Sequence, residues 1–219
     1  MENAHVLGFL TQLSLNNNRE WFEANRDNYE TARNFFVELV QELINGIALF
    51  DPGISGLQAK KCIFRLHRDV RFSKNKSPYK LNFGASMSEG GKKSIFPSYY
   101  IHLQPGGQCF IGGGLYHPEA ENLKRVRQEI DYNSDHFISI IEDASFKKLF
   151  GDIWGDRLKR PPKGYPEDHP QIEYLKFKDY VLLHNLNDDE IIDKDFVKKS
   201  LKVYTRIKPF NDFIRAALS

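Results

Sequence analysis

Cysteine is nearly absent from this chain: two thiols, Cys62 and Cys109, in 219 residues. Neither has a second cysteine at CxxC spacing, which removes the usual structural zinc patterns. Two lone thiols in strand-like segments fit a reduced, cytoplasmic protein better than a disulfide-stapled one. Long apolar runs are missing too, and none approaches the roughly 20 residues a bilayer crossing requires. The opening, MENAHVLGFL, lacks the basic n-region and apolar stretch of a signal peptide. There is no HExxH, no GxSxG, no GxxxxGK[ST] loop and no GxGxxG after a first strand, so the common metalloprotease, serine hydrolase and nucleotide-loop signatures are excluded. No repeat, low-complexity tract or linker divides the chain, and one domain over residues 1–219 is expected.

What is present is an ordinary globular composition, 41% hydrophobic and 27% charged, with aromatics at 13%. The net charge of +2 hides an asymmetry. Eight basic residues and one acid fall between Lys60 and Lys80, and elsewhere acids outnumber bases 28 to 23. Such a chain is mildly acidic with one basic segment, which favours a local anion site over general adhesion to nucleic acid.

Periodicity divides the chain into helices, then strands, then helices. Residues 3–15 read as a helix, with NNN at 16–18 as stop and N-cap. A second helix is expected from Arg19 to Leu49, its apolar face marked by Phe22, Tyr29, Phe36, Leu39, Leu43 and Ile47. From Lys61 the period becomes two, which predicts a half-buried strand through Phe72. LNFGASMS, SYYIHLQ, QCFIGGGLY and DYVLLHNL read as further strands, with PGG at 105–107 as a hairpin turn. PEAENLKRVRQEI, 134–143 and 145–150 read as helices, followed by a proline-rich loop, KRPPKGYPEDHP, and a last helix over 194–218 broken or kinked near Pro209. The class is α+β: one mainly antiparallel sheet packed with N-terminal and C-terminal helices.

The basic segment is RLHRDVRFSKNKSPYK, Arg65 to Lys80. Strand alternation places Arg65, His67, Asp69 and Arg71 on one face. Two guanidinium forks there suit an oxyanion, and Asp69 would orient them or act as a base. Arg68 falls on the apolar face, which calls for a bulge or a buried carboxylate partner. The SKNKSPY loop carries Lys76 and Tyr79 as a basic flap.

This segment resembles the signature R-x-x-R-D-x-R-F-x-x-D-K-x-P-Y of a family of conserved hypothetical proteins, mostly bacterial, catalogued as domain of unknown function 2461. Arg65, Arg68, Asp69, Arg71, Phe72, Lys76, Pro78 and Tyr79 match, and Asn75 stands where the pattern has Asp. REWFEANRDNYE, GGGLYHPE and LKRPPKGYPEDHP extend the resemblance over nearly the whole chain. It implies no activity. If the family's acid at that position is catalytic or metal-binding, this chain lacks it.

Three other features are candidates. Gly113, within GGG at 112–114, either lets backbone N–H groups reach an anion or makes room for a neighbour in a sheet bend. His102 shares a strand face with Tyr100, and pairing of that strand beside the first would set both next to Arg65 and His67 and make His102, with Asp69, a candidate acid or base. A metal held by His67, His102, His117 and Asp69 is disfavoured by the arginines nearby, and no metal or cofactor is expected.

Three functions follow. The favoured one is a site for a phosphorylated small molecule or nucleotide, bound by Arg65, Arg68, Arg71, Lys76, Tyr79 and Gly113. The second is a single-stranded nucleic-acid module on the same strip. The third is a structural network of these arginines with helix carboxylates such as Glu23 or Asp27.

Overall fold

A computed structural model describes residues 2–219 of the chain. Helix α1 spans Glu2–Leu15, α2 Arg19–Ala24 and α3 Arg26–Ala48. The Asn18 side chain caps α2 by accepting from the Trp21 N–H at 2.9 Å. The single helix expected over 19–49 is divided at Asn25, whose φ of −115° and ψ of 23° leave the helical region and whose side chain donates to the Trp21 carbonyl. This bend lets Phe22 and Phe36 both face inward.

After a short 3₁₀ turn at Pro52–Ile54 comes α4, Ala59–Cys62. The sheet follows as β1 (Phe83–Ser88), β2 (Ser98–Leu103) and β3 (Cys109–Leu115). Then come α5 (Ala120–Tyr132), α6 (Ser134–Ile141), α7 (Ala144–Phe150), α8 (Ile172–Leu175), β4 (Tyr180–Leu186), α9 (Asp188–Ile192) and α10 (Phe196–Leu218). The strands pair in the order β1-β2-β3-β4, all antiparallel. The architecture is α+β, as the order of periods predicts. No helix among the described residues is long and apolar enough to cross a membrane.

Two expectations need correction. Residues 61–72 do not form a regular strand: Cys62 ends α4, and the chain beyond it makes only isolated bridges. The last helix is not interrupted at Pro209, the one of the two expected outcomes that its continuous span from Phe196 to Leu218 rules out. Contacts pin it to the sheet on both sides of the proline, so the missing N–H does not end it. The Tyr204 hydroxyl donates to the Tyr100 carbonyl at 2.9 Å, and the Asn211 amide to the Ser98 carbonyl at 3.2 Å.

Alternation gives the sheet two unlike faces. Ala85, Met87, Tyr99, Ile101, Leu103, Ile111, Tyr180 and Leu182 are fully buried under the helices. Gly113 is on this side. A Cβ there would lie 2.6 Å from the Ile207 side chain, so the glycine admits α10 rather than an anion. The opposite face carries Ser86, Tyr100, His102, Phe110, Val181 and Leu183, and among the described residues no helix contributes to the cavity over it.

A buried ion pair joins the layers. Asp51, 2% exposed, accepts from the Tyr99 hydroxyl at 2.9 Å and from Arg215 at 2.8 Å. Arg215 also meets Asp212 at 2.6 Å and Glu89 at 3.3 Å. Asp51→Ala leaves Arg215 and the Tyr99 hydroxyl short of their partner. It is expected to lower unfolding stability by about 3–5 kcal/mol, measured by denaturant titration, with Tyr99→Phe costing less.

Candidate ligand-binding site

The Arg65–Lys80 stretch folds back on itself. The Lys80 N–H donates to the Leu66 carbonyl at 2.8 Å, the Arg68 N–H to the Pro78 carbonyl at 2.9 Å, and His67 bridges Tyr79. Local chemistry holds this hairpin. Tyr79 stacks on Phe22 with centroids 4.1 Å apart, and the Asn17 side chain brackets the Tyr79 backbone, accepting at 3.1 Å and donating at 3.0 Å. Asn75 accepts from the Ser77 N–H at 2.9 Å, the turn contact an aspartate would also make.

This geometry disperses the charged residues that strand alternation would gather. Arg71 pairs with Asp69 at 2.7 Å on the surface, and that hydrogen bond holds the Asp69 carboxyl below its usual range. Lys76 donates to the Val70 carbonyl at 3.0 Å. Arg68 has neither bulge nor carboxylate: it reaches the Ser77 carbonyl and the Ser73 hydroxyl, at 3.3 and 3.4 Å. Glu23 pairs with Arg26 rather than with the hairpin. Tyr79, 3% exposed, is a packing residue instead of a flap over the sheet.

Arg65 and His67 lie elsewhere, at the base of the hairpin. With Arg33 and Lys92 they line a pocket of about 290 Å³ that also contains Tyr29, Phe64 and Phe83. No carboxylate lines it. Neither Arg33 nor Arg65 forms an ion pair among the described residues. Lys80 sits close by, 5.6 Å from the Phe64 ring centre, and burial followed by the nearby Arg65 charge pulls its ammonium below the ordinary lysine value.

Phe64 and Lys92 also line a larger trough of about 540 Å³ on the open face of the sheet. The two sheet edges build its ends. Beside β1, Ile63 bridges Ala85 and the Phe64 N–H donates to the Gly84 carbonyl at 2.9 Å, which puts Phe64 on the open side. Beyond β4, Trp154 bridges Val181, with backbone bonds of 2.8 and 3.1 Å, and lies on the same side. The β1–β2 loop contributes Gly91, Lys92, Ser94 and Phe96 to the lining, and Lys92 ties it to the Ile63 carbonyl at 3.0 Å. Gly112 and Gly114 lie in the floor, where a Cβ would strike the β4 backbone.

His102 is half-buried in this trough and stacked on Phe110 at 4.6 Å. Its Nε2 lies 3.4 Å from the Gln104 Oε1, and its Nδ1 lies 3.4 Å from both Asn82 and the Tyr100 hydroxyl. The network suits a neutral ring with Nε2–H donating and Nδ1 accepting. Burial lowers the His102 pKa and pushes Tyr100 up to about 12. Asp69 and His102 do not meet: the first is on the hairpin, the second on the sheet. Among the described residues, no three His, Cys, Asp or Glu side chains are grouped to hold a metal ion.

The residues sequence reading overlooked are Arg33, Lys92, Phe64 and Trp154. Arg33 reads as the polar face of a helix and Lys92 as a loop charge, and only the sheet-edge bridges reveal what the two aromatics do.

The His102 shift has a definite sign. A histidine held neutral in the fold binds fewer protons than in the unfolded chain below its ordinary pKa of about 6.5. Stability is expected to fall as pH drops through that value, and His102→Gln to flatten the slope in urea unfolding between pH 5 and pH 8.

A family model described as "Conserved hypothetical protein (DUF2461)" matches residues 5–213. No curated protein and no solved structure matches the chain.

Proposed function

We propose a function from geometry alone, since the chain belongs to the conserved hypothetical protein family DUF2461 and that description names no activity. The protein binds the phosphate-type group of a small molecule, without a metal, in the pocket of Arg33, Arg65, His67 and Lys92. One observation carries this reading: three permanent cations line a single concavity of about 290 Å³ that no carboxylate enters. Charge-assisted bonds from two guanidinium forks and an ammonium are the ordinary means of holding an oxyanion. The role first given to Arg68, Arg71 and Lys76 passes to Arg33 and Lys92, because the hairpin tip makes its own contacts. The two buried free thiols support a reducing, cytoplasmic setting.

A second reading, single-stranded nucleic acid, draws on one feature. Phe72 is 95% exposed at the hairpin tip, its ring centre 5.9 Å from the Arg71 guanidinium carbon. An exposed ring beside cations is a stacking platform. The mild acidity of the remaining chain opposes it.

Arg65→Ala and Arg33→Ala are each expected to weaken binding of inorganic phosphate or phosphate monoesters by tenfold or more, the loss of about 1.5–3 kcal/mol for a charged hydrogen bond, read by calorimetry. Unchanged binding in both variants removes the proposal. Oligothymidylate binding at physiological salt that vanishes in Phe72→Ala would install the second reading instead.

A further inference from the structure

The trough on the open sheet face has no part yet, and it adjoins the basic pocket through Phe64 and Lys92, which line both. We propose that it receives a long hydrocarbon chain attached to the oxyanion in that pocket, so that the ligand is an amphipathic anion. This inference rests on the anion reading above and adds the class of molecule.

Three observations support it. The first is size: about 540 Å³ falls in the range of about 300–1,000 Å³ typical of small-molecule sites. The second is length. Phe64 lies beyond β1 and Trp154 beyond β4, so five inter-strand gaps of about 4.8 Å separate their backbones, roughly 24 Å in all. Their side chains shorten this span by leaning inward, but the trough remains too long for one ring.

The third is that several polar side chains of the lining, Ser88, Ser94, Tyr100 and His102, already have partners. The Ser88 hydroxyl donates to the carbonyls of Phe96 and Pro97, at 3.0 and 3.1 Å. The Ser94 hydroxyl accepts from the Phe96 N–H at 3.1 Å. His102 meets the Tyr100 hydroxyl through Nδ1 and Gln104 through Nε2. A nucleobase and ribose would bury donors and acceptors against these satisfied groups, at a cost an alkyl chain avoids. Phe96, Phe110, Val181 and Leu183 offer such a chain dispersion contacts along the trough.

Charge fixes the orientation. The cations are all at the Phe64 end, and the far end is closed by Trp154 and Tyr116, whose rings stack at 6.3 Å. The head group therefore sits by Arg65 and the chain tip approaches Trp154.

The test uses the full chain with Trp21→Phe, which leaves Trp154 as the sole tryptophan. Methyl, butyl, octyl and dodecyl phosphate are titrated below micellar concentration, with binding read by calorimetry and by Trp154 fluorescence. Affinity is expected to rise by up to fourfold per methylene, to plateau when the trough is full, and to change Trp154 emission only for the longer chains. Ser86→Phe, on the open face away from the helices, is expected to remove the gain from chain length while methyl phosphate binds as before. A flat series that still depends on Arg65 overturns the hydrocarbon inference and leaves the anion site standing. Adenosine monophosphate binding more tightly than dodecyl phosphate overturns it in favour of a planar ring. No binding of any phosphate overturns both.

Discussion

Everything distinctive about this protein depends on a sheet covered on one side only, and a single buried carboxylate helps to keep it so. Asp51 lies where the first helical group ends and accepts from a β2 tyrosine and an α10 arginine at once. Removing two charges from water is costly, and the arrangement is sustained because the carboxylate and guanidinium satisfy each other and the Tyr99 hydroxyl. Burial and the facing Asp51 charge hold that hydroxyl firmly protonated. Arg215 extends the tie to Glu89, at the start of the loop that partly roofs the trough. The contact that fastens the helices to one face thus also restrains a wall on the other.

The open face becomes a container through its edges. A bare edge strand invites pairing with another chain. Here each edge is met by an isolated bridge, Ile63 to Ala85 on one side and Trp154 to Val181 on the other. Each bridge also orients an aromatic ring, so edge protection and trough building are the same event. The glycines of β3 belong to this account. Gly113 gives α10 close approach, while Gly112 and Gly114 let the backbone pass tightly against β4.

The basic signature has a different place from the one its charges suggest. Tyr79, Asn75, Arg68 and Lys76 spend their contacts within the hairpin or on its seat against Phe22 and Asn17. Their effect is to hold the base of the hairpin, where Arg65 and Phe64 face the two cavities. Much of the motif therefore makes contacts within the hairpin or to its seat, and its first arginine lines the basic pocket. Asn75 keeps the turn contact an aspartate there would make, because its amide oxygen also accepts from a backbone N–H.

The sequence by itself determined the α+β order, all four strands, the alternation of faces along β2, and the location of the excess positive charge. Each rests on local period or turn chemistry: Tyr99 and Ile101 alternate with Tyr100 and His102 whatever else the chain does. The tertiary structure decided the rest. Alternation over residues 61–72 looks like a strand, yet the segment pairs with its own continuation at Tyr79 because Phe22 and Asn17, some 60 residues away, secure that ring and its backbone. Arg33 joins Arg65 only because α3 lies beside the segment leading into β1, and Trp154 meets the same trough as Phe64 only across four intervening strands. Period reports which way a side chain points from its own backbone. Which charges share a pocket depends on contacts between distant segments, and only the folded chain brings those together.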